Sequence, residues 1–391
     1  MGWGEQRELT ERFGAVCSCL KEACPHWTLG TSYSGWTEAL LHEQERLLPL
    51  IVERLRKLQQ TLPNQRRFGR WNVFAVDGSQ IACPRTIKNQ EAMGDVGKPD
   101  GIPLLSLTSI LHLGTGLPWD FRVGPGTDSE RSHLRQMIGD LPRGSLLVAD
   151  AGFVGYDLCR DLIERKQHFL LRVGGNVHLL NSLGYDFEVQ GQTVYLWPTG
   201  KQDSSEPPLE LRLIVVRDEN KQPIYLVTSV LDPEELTDEE AREIYHARWG
   251  VEVHFRTVKQ TMEHQTMHSR TPKTCYLEMT WAFLGTWLLE LMTARKVAAA
   301  GGDPRRISPA QARNCVRRVM RRQRPCHRSR SGLCRALAAC RVDNYKRQRP
   351  KASRSYPRKK RHKPPGPPHI KPPDEAQLHK AQKLTPISTR D

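Results

Sequence analysis

Hydrophobic positions along the chain switch several times between helical and strand periods. Residues 37–60, TEALLHEQERLLPLIVERLRKLQQ, repeat apolar side chains at helical intervals, and Pro63 ends the run. Residues 1–68 therefore read as a small helical module. Strand-like runs follow at NVFAVD (72–77), LLSLTSILH (104–112) and LPWDFRV (117–123), with Gly114 and Gly116 as turn residues between the last two. Helical spacing returns in SERSHLRQMIGDL (129–141), where Ser129 is placed to act as N-cap. A strand SLLVAD (145–150), a helix GYDLCRDLIERK (155–166) and a strand HFLLRV (168–173) come next, an order that implies parallel pairing.

Three further strands, TVYLWP (193–198), LELRLIVVRD (209–218) and PIYLVTSVL (223–231), arrive without helices, so residues 175–232 are expected to be an antiparallel insertion. A helix then opens in DPEELTDEEAREIYHARWG (232–250), with Thr237 and Glu240 at capping-box spacing. Residues 278–297 predict another. The pattern as a whole predicts an α/β protein with a mixed sheet flanked by helices.

Charge divides the chain. The formal net charge is +16, but residues 304–340 hold eleven Arg and no acid, and residues 341–391 hold fifteen Lys and Arg against four acids. The remaining residues are mildly acidic. A basic C-terminal region beside an acidic globule points to a polyanion, most simply nucleic acid. With nine Pro in 51 residues, 341–391 is expected to be a disordered Pro/Lys/Arg-rich tail. Residues 301–340 read as an Arg-rich helical segment for DNA contact, with RRVMRRQR (317–324) carrying Arg317, Arg318, Arg321 and Arg322.

The charged N-terminus lacks an apolar core, and TWAFLGTWLLELMTA (280–294) contains Glu290 and is too short to span a bilayer. A soluble, cytoplasmic protein with no membrane partner is the expectation. Cys17, Cys19, Cys24 and His26 cluster at one end, and Cys326, His327, Cys334 and Cys340 near the other, yet neither set has paired zinc-ligand spacing. Reduced thiols are the expectation, with His254, His264 and His268 as surface or packing residues.

Three acids stand apart. Asp77 and Asp150 each end an apolar strand, and Glu252 lies in EIYHARWGVEVHFRTVKQ (243–260). An acid ending a buried strand is costly unless compensated, and a divalent ion with hard oxygen ligands would compensate it. In the same stretch Tyr245, Arg248, Glu252 and Lys259 are spaced to fall within a sector of about 60° on a continuous helix. Arg248 and Lys259 would then face phosphate oxygens, and Tyr245 would donate a hydrogen bond to the same backbone. Asp95, Asp100, Asp120, Asp128 and Asp157 lack such placement and are expected to be solvated.

The order Y-x2-R-x3-E-x6-K, met by Tyr245, Arg248, Glu252 and Lys259, resembles the signature of a superfamily of bacterial insertion-sequence transposases of the Asp-Asp-Glu type. FAVDGSQI (74–81) and LLVADAGFVGYDL (146–158) are similar to that family's two Asp segments. The resemblance covers roughly residues 70–295. It implies a ribonuclease H-like core with a mixed five-stranded sheet at 69–300, interrupted by the insertion. It implies that Asp77, Asp150 and Glu252 bind two Mg²⁺, for which Mn²⁺ would substitute. It implies DNA cleavage at transposon ends and strand transfer into target DNA, and a homodimer on double-stranded DNA bearing terminal inverted repeats, associated with the bacterial nucleoid. Relatives place an aromatic in the β insertion against a displaced base; the corresponding stretch is Ile224-Tyr225, so Tyr225 and Trp197 are the candidates. The rival readings are a decayed or repurposed copy that only binds DNA, a nuclease on the same fold that cuts without joining, and a glycoside hydrolase. The last leaves Arg248 and Lys259 unexplained.

Overall fold

A computed structural model of the chain describes residues 2–63, 65–94, 101–203, 205–218, 221–322, 330–342 and 366–390. They gather into two units, 1–141 with 246–341, and 142–245 with 342–391. The first unit opens with α1 (Leu9–Ala23) and α2 (Tyr33–Gln60). The Ser32 side chain caps α2 by accepting the Gly35 N–H at 3.3 Å. Near the other end of α2, buried Gln59 donates to the Thr115 hydroxyl at 3.0 Å and accepts from the Trp287 indole at 3.1 Å. One amide thereby ties α2 to a turn and to a distant helix, with its polar atoms satisfied.

Three strands follow with one short helix among them: β1 (Asn72–Ala82), α3 (Ile87–Met93), β2 (Leu104–His112) and β3 (Leu117–Pro125). They form an antiparallel meander in which β1 pairs with β2 and β2 with β3. Asp120 on β3 is buried, contrary to the expectation that it is solvated. Arg56 and Arg122, each 2.9 Å away, supply the ion pairs that make this burial tolerable. Asp95 and Asp100 lie outside the described residues. Helix α4 (Glu130–Met137) starts at Ser129, which occupies the N-cap position but makes no side-chain cap bond.

The second unit begins with β4 (Ser145–Ala149), α5 (Tyr156–Glu164) and β5 (His168–Val173), and β4 and β5 are parallel as the helix between them implies. The insertion supplies β6 (His178–Leu180), β7 (Thr193–Leu196), a short α6 (Thr199–Asp203), β8 (Leu209–Arg217) and β9 (Pro223–Thr228). Its strands pair antiparallel, as expected. Helix α7 (Asp238–Ala247) carries the chain back to the first unit. Its start is the capping box read from sequence: the Thr237 N–H donates to Glu240 at 3.0 Å and the Glu240 N–H to Thr237 at 3.2 Å.

In the first unit again come α8 (Trp249–Arg256) and α9 (Pro272–Ala299), then α10 (Pro309–Arg322) and α11 (Arg330–Ala338). Helix α9 buries Trp287, Phe283, Leu289 and Glu290 on several faces, which is why its sequence is apolar almost all round. His254 Nδ1 lies 3.3 Å from Glu290, so this histidine is a packing residue as expected. No helix among the described residues is long and apolar enough to cross a membrane.

Two expectations change. The described strands number three in the first unit and seven in the second, against five for the expected sheet. The reason lies in the second unit, where β9 pairs antiparallel with β5, so the insertion continues the sheet rather than standing apart from it. Within the expected tail, 343–365 lie outside the described residues, but 366–390 are ordered: β10 (His369–Lys371) pairs parallel with β6, and α12 (Glu375–Ala381) carries a capping box between Asp374 and Gln377. Ile387 bridges to Leu209, and Arg390 meets Glu210 at 2.7 Å, where Glu210 is 1% exposed. Composition alone hides this, because the segment is stabilised by main-chain pairing and one buried carboxylate rather than by its own apolar area.

Arg390→Met removes the cation from that carboxylate. Because Arg390 is itself partly exposed, we expect a loss of about 1–3 kcal/mol, read as a lower urea midpoint. An unchanged midpoint shows that the terminal segment does not brace this unit.

Candidate active site

Strand β1 runs through the core with Val73, Phe74, Ala75 and Val76 all buried; Asp77 comes next, and pairing with β2 carries the strand past it to Ala82, so the acid does not end the strand as its sequence suggested. It lies opposite Ser109 on β2, and its Oδ1 accepts the Gly78 N–H at 2.9 Å. Next to it, a Cβ on Gly78 would fall 1.9 Å from Glu130 Oε1. Glycine at 78 therefore lets the first residue of α4 fold its carboxylate onto the strand. Burial, and then the charge of Asp77, push the Glu130 carboxyl above its ordinary value of 4.5.

Glu252 sits in the first turn of α8, where an acid is favoured by the helix dipole. Arg248 precedes that helix and is 8% exposed. Its Nη2 donates to Glu252 Oε1 at 3.1 Å, and its Nη1 lies 3.7 Å from Asp77 Oδ2. One buried guanidinium thus holds both carboxylates. Lys259 Nζ donates to the Gln80 carbonyl on β1 at 2.7 Å.

The four-residue spacing is not carried by one regular helix. Tyr245 belongs to α7, Arg248 sits at the junction, Glu252 belongs to α8, and Lys259 lies in a π-helical turn over Thr257–Thr261. That wider turn closes through Met262 N–H donating to the Thr257 carbonyl at 2.8 Å, which changes the phase assumed for a single face.

Asp150 is described within the second unit. It follows β4 and caps the turn Ala151–Phe153 by accepting the Ala151 N–H at 2.9 Å. The Tyr245 hydroxyl donates to the same oxygen at 3.2 Å, and Arg172 on β5 approaches it to 3.7 Å. Among the described residues no three acid, His or Cys side chains are gathered into a ready metal cluster. The donor chemistry still suits a hard divalent cation: Asp77 and Glu252 offer carboxylate oxygens to a single arginine, and Glu130 crowds Asp77, an excess of negative charge.

These acids and their basic partners sit inside a stretch, residues 71–288, that matches the model of the transposase DDE domain. The chain belongs to the transposase DDE domain family. DNA transposition is the class of activity to which this stretch is matched, and the protein is an enzyme of that class. The chain is 24% identical over 302 residues to the transposase InsG for insertion sequence element IS4 of Escherichia coli (strain K12), covering 72% of this chain and 67% of that protein. A putative transposase for insertion sequence element IS4SA of Synechocystis is 22% identical over 51% of this chain and 56% of its own length. The cryo-EM structure of piggyBac transposase synaptic complex with hairpin DNA is similar at a TM-score of 0.42 and 12% identity, covering 70% of this chain and 58% of that one.

Other predicted site residues of this transposase-family chain fare differently. Arg317 is 9% exposed and turns inward, its Nη2 meeting Glu263 at 2.8 Å and its Nε the Trp3 carbonyl at 2.9 Å, so it braces the fold instead of facing DNA. Arg321 is exposed and pairs with Glu5; Arg318 is exposed, with Nη2 3.1 Å from Cys315 Sγ; Arg322 ends α10. Trp197 is buried at 4% exposure, its indole donating to the Glu206 carbonyl at 2.9 Å, which removes it as a stacking surface. Tyr225 on β9 is half-buried. Cys326 and His327 lie outside the described residues. Glu130 and Arg172 were not read from sequence; only a residue pair far apart in the chain, such as Gly78 with Glu130, would have signalled either.

Glu130's raised value fixes a pH dependence. Its contribution to stability is fully present below the unfolded value near 4.5 and is lost as pH rises through the folded value. Glu130→Gln should therefore raise the melting temperature at pH 7 relative to the parent and change it little at pH 4. An equal shift at both values counts against the crowding of Glu130 on Asp77.

Proposed function

We propose that the chain cuts DNA at transposon ends and joins the freed 3′ end to target DNA, with Asp77, Asp150 and Glu252 as the catalytic acids. The observation that carries this reading is the Arg248 guanidinium held between Asp77 and Glu252 in the order Y-x2-R-x3-E-x6-K. A structural salt bridge needs one carboxylate; two acids on one buried cation, with a third pressed alongside, keep more negative charge than the fold requires. The family match over 71–288 supports the same reading.

The three acids would hold two Mg²⁺, with Mn²⁺ as substitute. Bound ions of this kind supply Lewis acidity at the scissile phosphate and an activated water or hydroxyl. The rest is the work of the chain's own groups. The Tyr245 hydroxyl, on Asp150 Oδ1, fixes which carboxylate oxygen is turned outward and so positions Asp150. Arg248 orients Asp77 and Glu252 and limits their mutual repulsion. Lys259 and the exposed Arg318 would meet backbone phosphates, as would Arg321 on release from Glu5. Residues 1–68 would serve end binding, 69–300 would form the ribonuclease H-like catalytic domain, and 301–340 would follow the DNA. Two chains would pair on DNA, since two ends must be brought together. Tyr225 is the remaining candidate for stacking on a displaced base.

The test is a strand-transfer assay with Mg²⁺ on duplexes carrying the element's own terminal inverted repeats. Cleaved and joined products are expected; hydrolysis with no joined product would leave only the nuclease reading. Asp150→Asn should bind these duplexes as the parent does but cut them at least about 100-fold more slowly, and retained cleavage would falsify its assignment. Tyr245→Phe should raise the Mg²⁺ concentration needed for half-maximal cleavage roughly 10-fold. An unaltered Mg²⁺ dependence removes Tyr245 as a positioning residue.

A further inference from the structure

Residues 65–71, Gln-Arg-Arg-Phe-Gly-Arg-Trp, lead into β1 and take no part in the chemistry above. The two aromatics anchor the loop. Phe68 and Trp71 are buried and form a bridge with each other, the Trp71 N–H donating to the Phe68 carbonyl at 2.9 Å. Between them Gly69 adopts φ +54°, a conformation that costs a side-chain-bearing residue. A second tie runs from the Arg66 N–H to the Gly114 carbonyl, 2.8 Å away in the turn between β2 and β3. With the rings turned inward, Arg66, Arg67 and Arg70 are left exposed.

The rings also order the arginines. The guanidinium carbon of Arg66 sits 4.5 Å from the Phe68 ring centroid, and that of Arg70 5.5 Å from the Trp71 centroid. Stacking holds each guanidinium against its ring while both arginines remain exposed. All three arginines line one concavity of about 750 Å³, shared with Gln65, Asn72 and His112. Burial draws the His112 imidazole down to about 4, so it is neutral here and the positive charge belongs to the arginines alone. The described residues lining this hollow include no carboxylate.

We propose that this loop is a backbone-binding surface for duplex DNA, additional to the candidate active site. Three guanidiniums within five residues, on a pinned bend beside polar amides, suit successive phosphates. A lipid surface would call for exposed apolar side chains, and here both aromatics face inward. The proposal rests on the DNA-acting reading above and names a contact that reading does not contain. Such a contact adds affinity without reading bases, so its signature is the salt dependence of binding.

The experiment measures the affinity of the full chain for a duplex of arbitrary sequence at several salt concentrations, with no divalent ion added. Arg67 is the cleanest probe, because among the described residues it makes no hydrogen bond, ion pair or ring contact. Arg67→Gln should flatten the slope of log affinity against log salt by about 0.9. The triple change Arg66→Gln, Arg67→Gln, Arg70→Gln should flatten it by about 2.7 and weaken binding on the order of 100-fold near physiological salt. The corresponding triple lysine variant, with charge kept, should retain the parent slope. Unchanged slopes in the glutamine variants overturn the proposal, and so does flattening seen with single-stranded RNA but not with duplex DNA. Cleavage plays no part in this readout, so a failure of the catalytic reading and a failure of the loop are told apart.

Discussion

A buried charge has to be matched, and in the first unit the charge that sets the terms is Arg248. Removing a guanidinium from water costs several kcal/mol unless carboxylates and hydrogen bonds replace the lost hydration. Asp77 and Glu252 supply that replacement from elements far apart in the chain, the middle of a strand and the first turn of a helix. The dependence is mutual. Asp77 follows four buried side chains on β1, so it sits at the edge of a low-dielectric core, where an unmatched acid would itself be expensive. The junction between α7 and α8, the register of β1 and the approach of α4 over Gly78 therefore answer to one electrostatic condition.

Much of this architecture is legible from periodicity. The strands at 104–112 and 168–173, the parallel pairing of β4 with β5, the antiparallel insertion and the Thr237–Glu240 cap depend on residues close in sequence, and the structure has them where the pattern puts them. What the pattern missed depends on distant partners. The ordered segment at 366–390 borrows main-chain bonds from β6 and a buried carboxylate from β8, neither of which its own composition reveals. The π-helical turn at Thr257–Thr261 is a one-residue change of helical pitch, invisible to a spacing argument that assumes 3.6 residues per turn. The candidate acids were visible because a carboxylate ending an apolar run is locally anomalous. Glu130 was invisible because its significance comes from a missing side chain 52 positions earlier, at Gly78.

Charge shows the same limit. Eleven arginines in 304–340 with no acid among them suggest a surface made for phosphates. In the fold, part of that charge is neutralised by acids from elsewhere: Arg313 and Arg317 meet Glu263, and Arg321 meets Glu5. Glu263 consequently lies below its ordinary value, its hydrogen bond with Arg317 being the largest cause. A count along the sequence measures how many cations the chain carries, whereas affinity for a polyanion depends on how many remain turned to solvent.

The loop at 65–71 is the converse case. It contributes only three of the 59 basic residues, and its net charge is unremarkable beside the C-terminal region. Yet its aromatics are consumed as anchors, which forces the arginines outward into a single hollow. Alternation of buried ring and exposed guanidinium over a few residues thus does for a cation cluster what a β-strand does for a hydrophobic face: it assigns each neighbour to a side. Where burial fixes the side, a small number of charges can be gathered on one face without a long basic run.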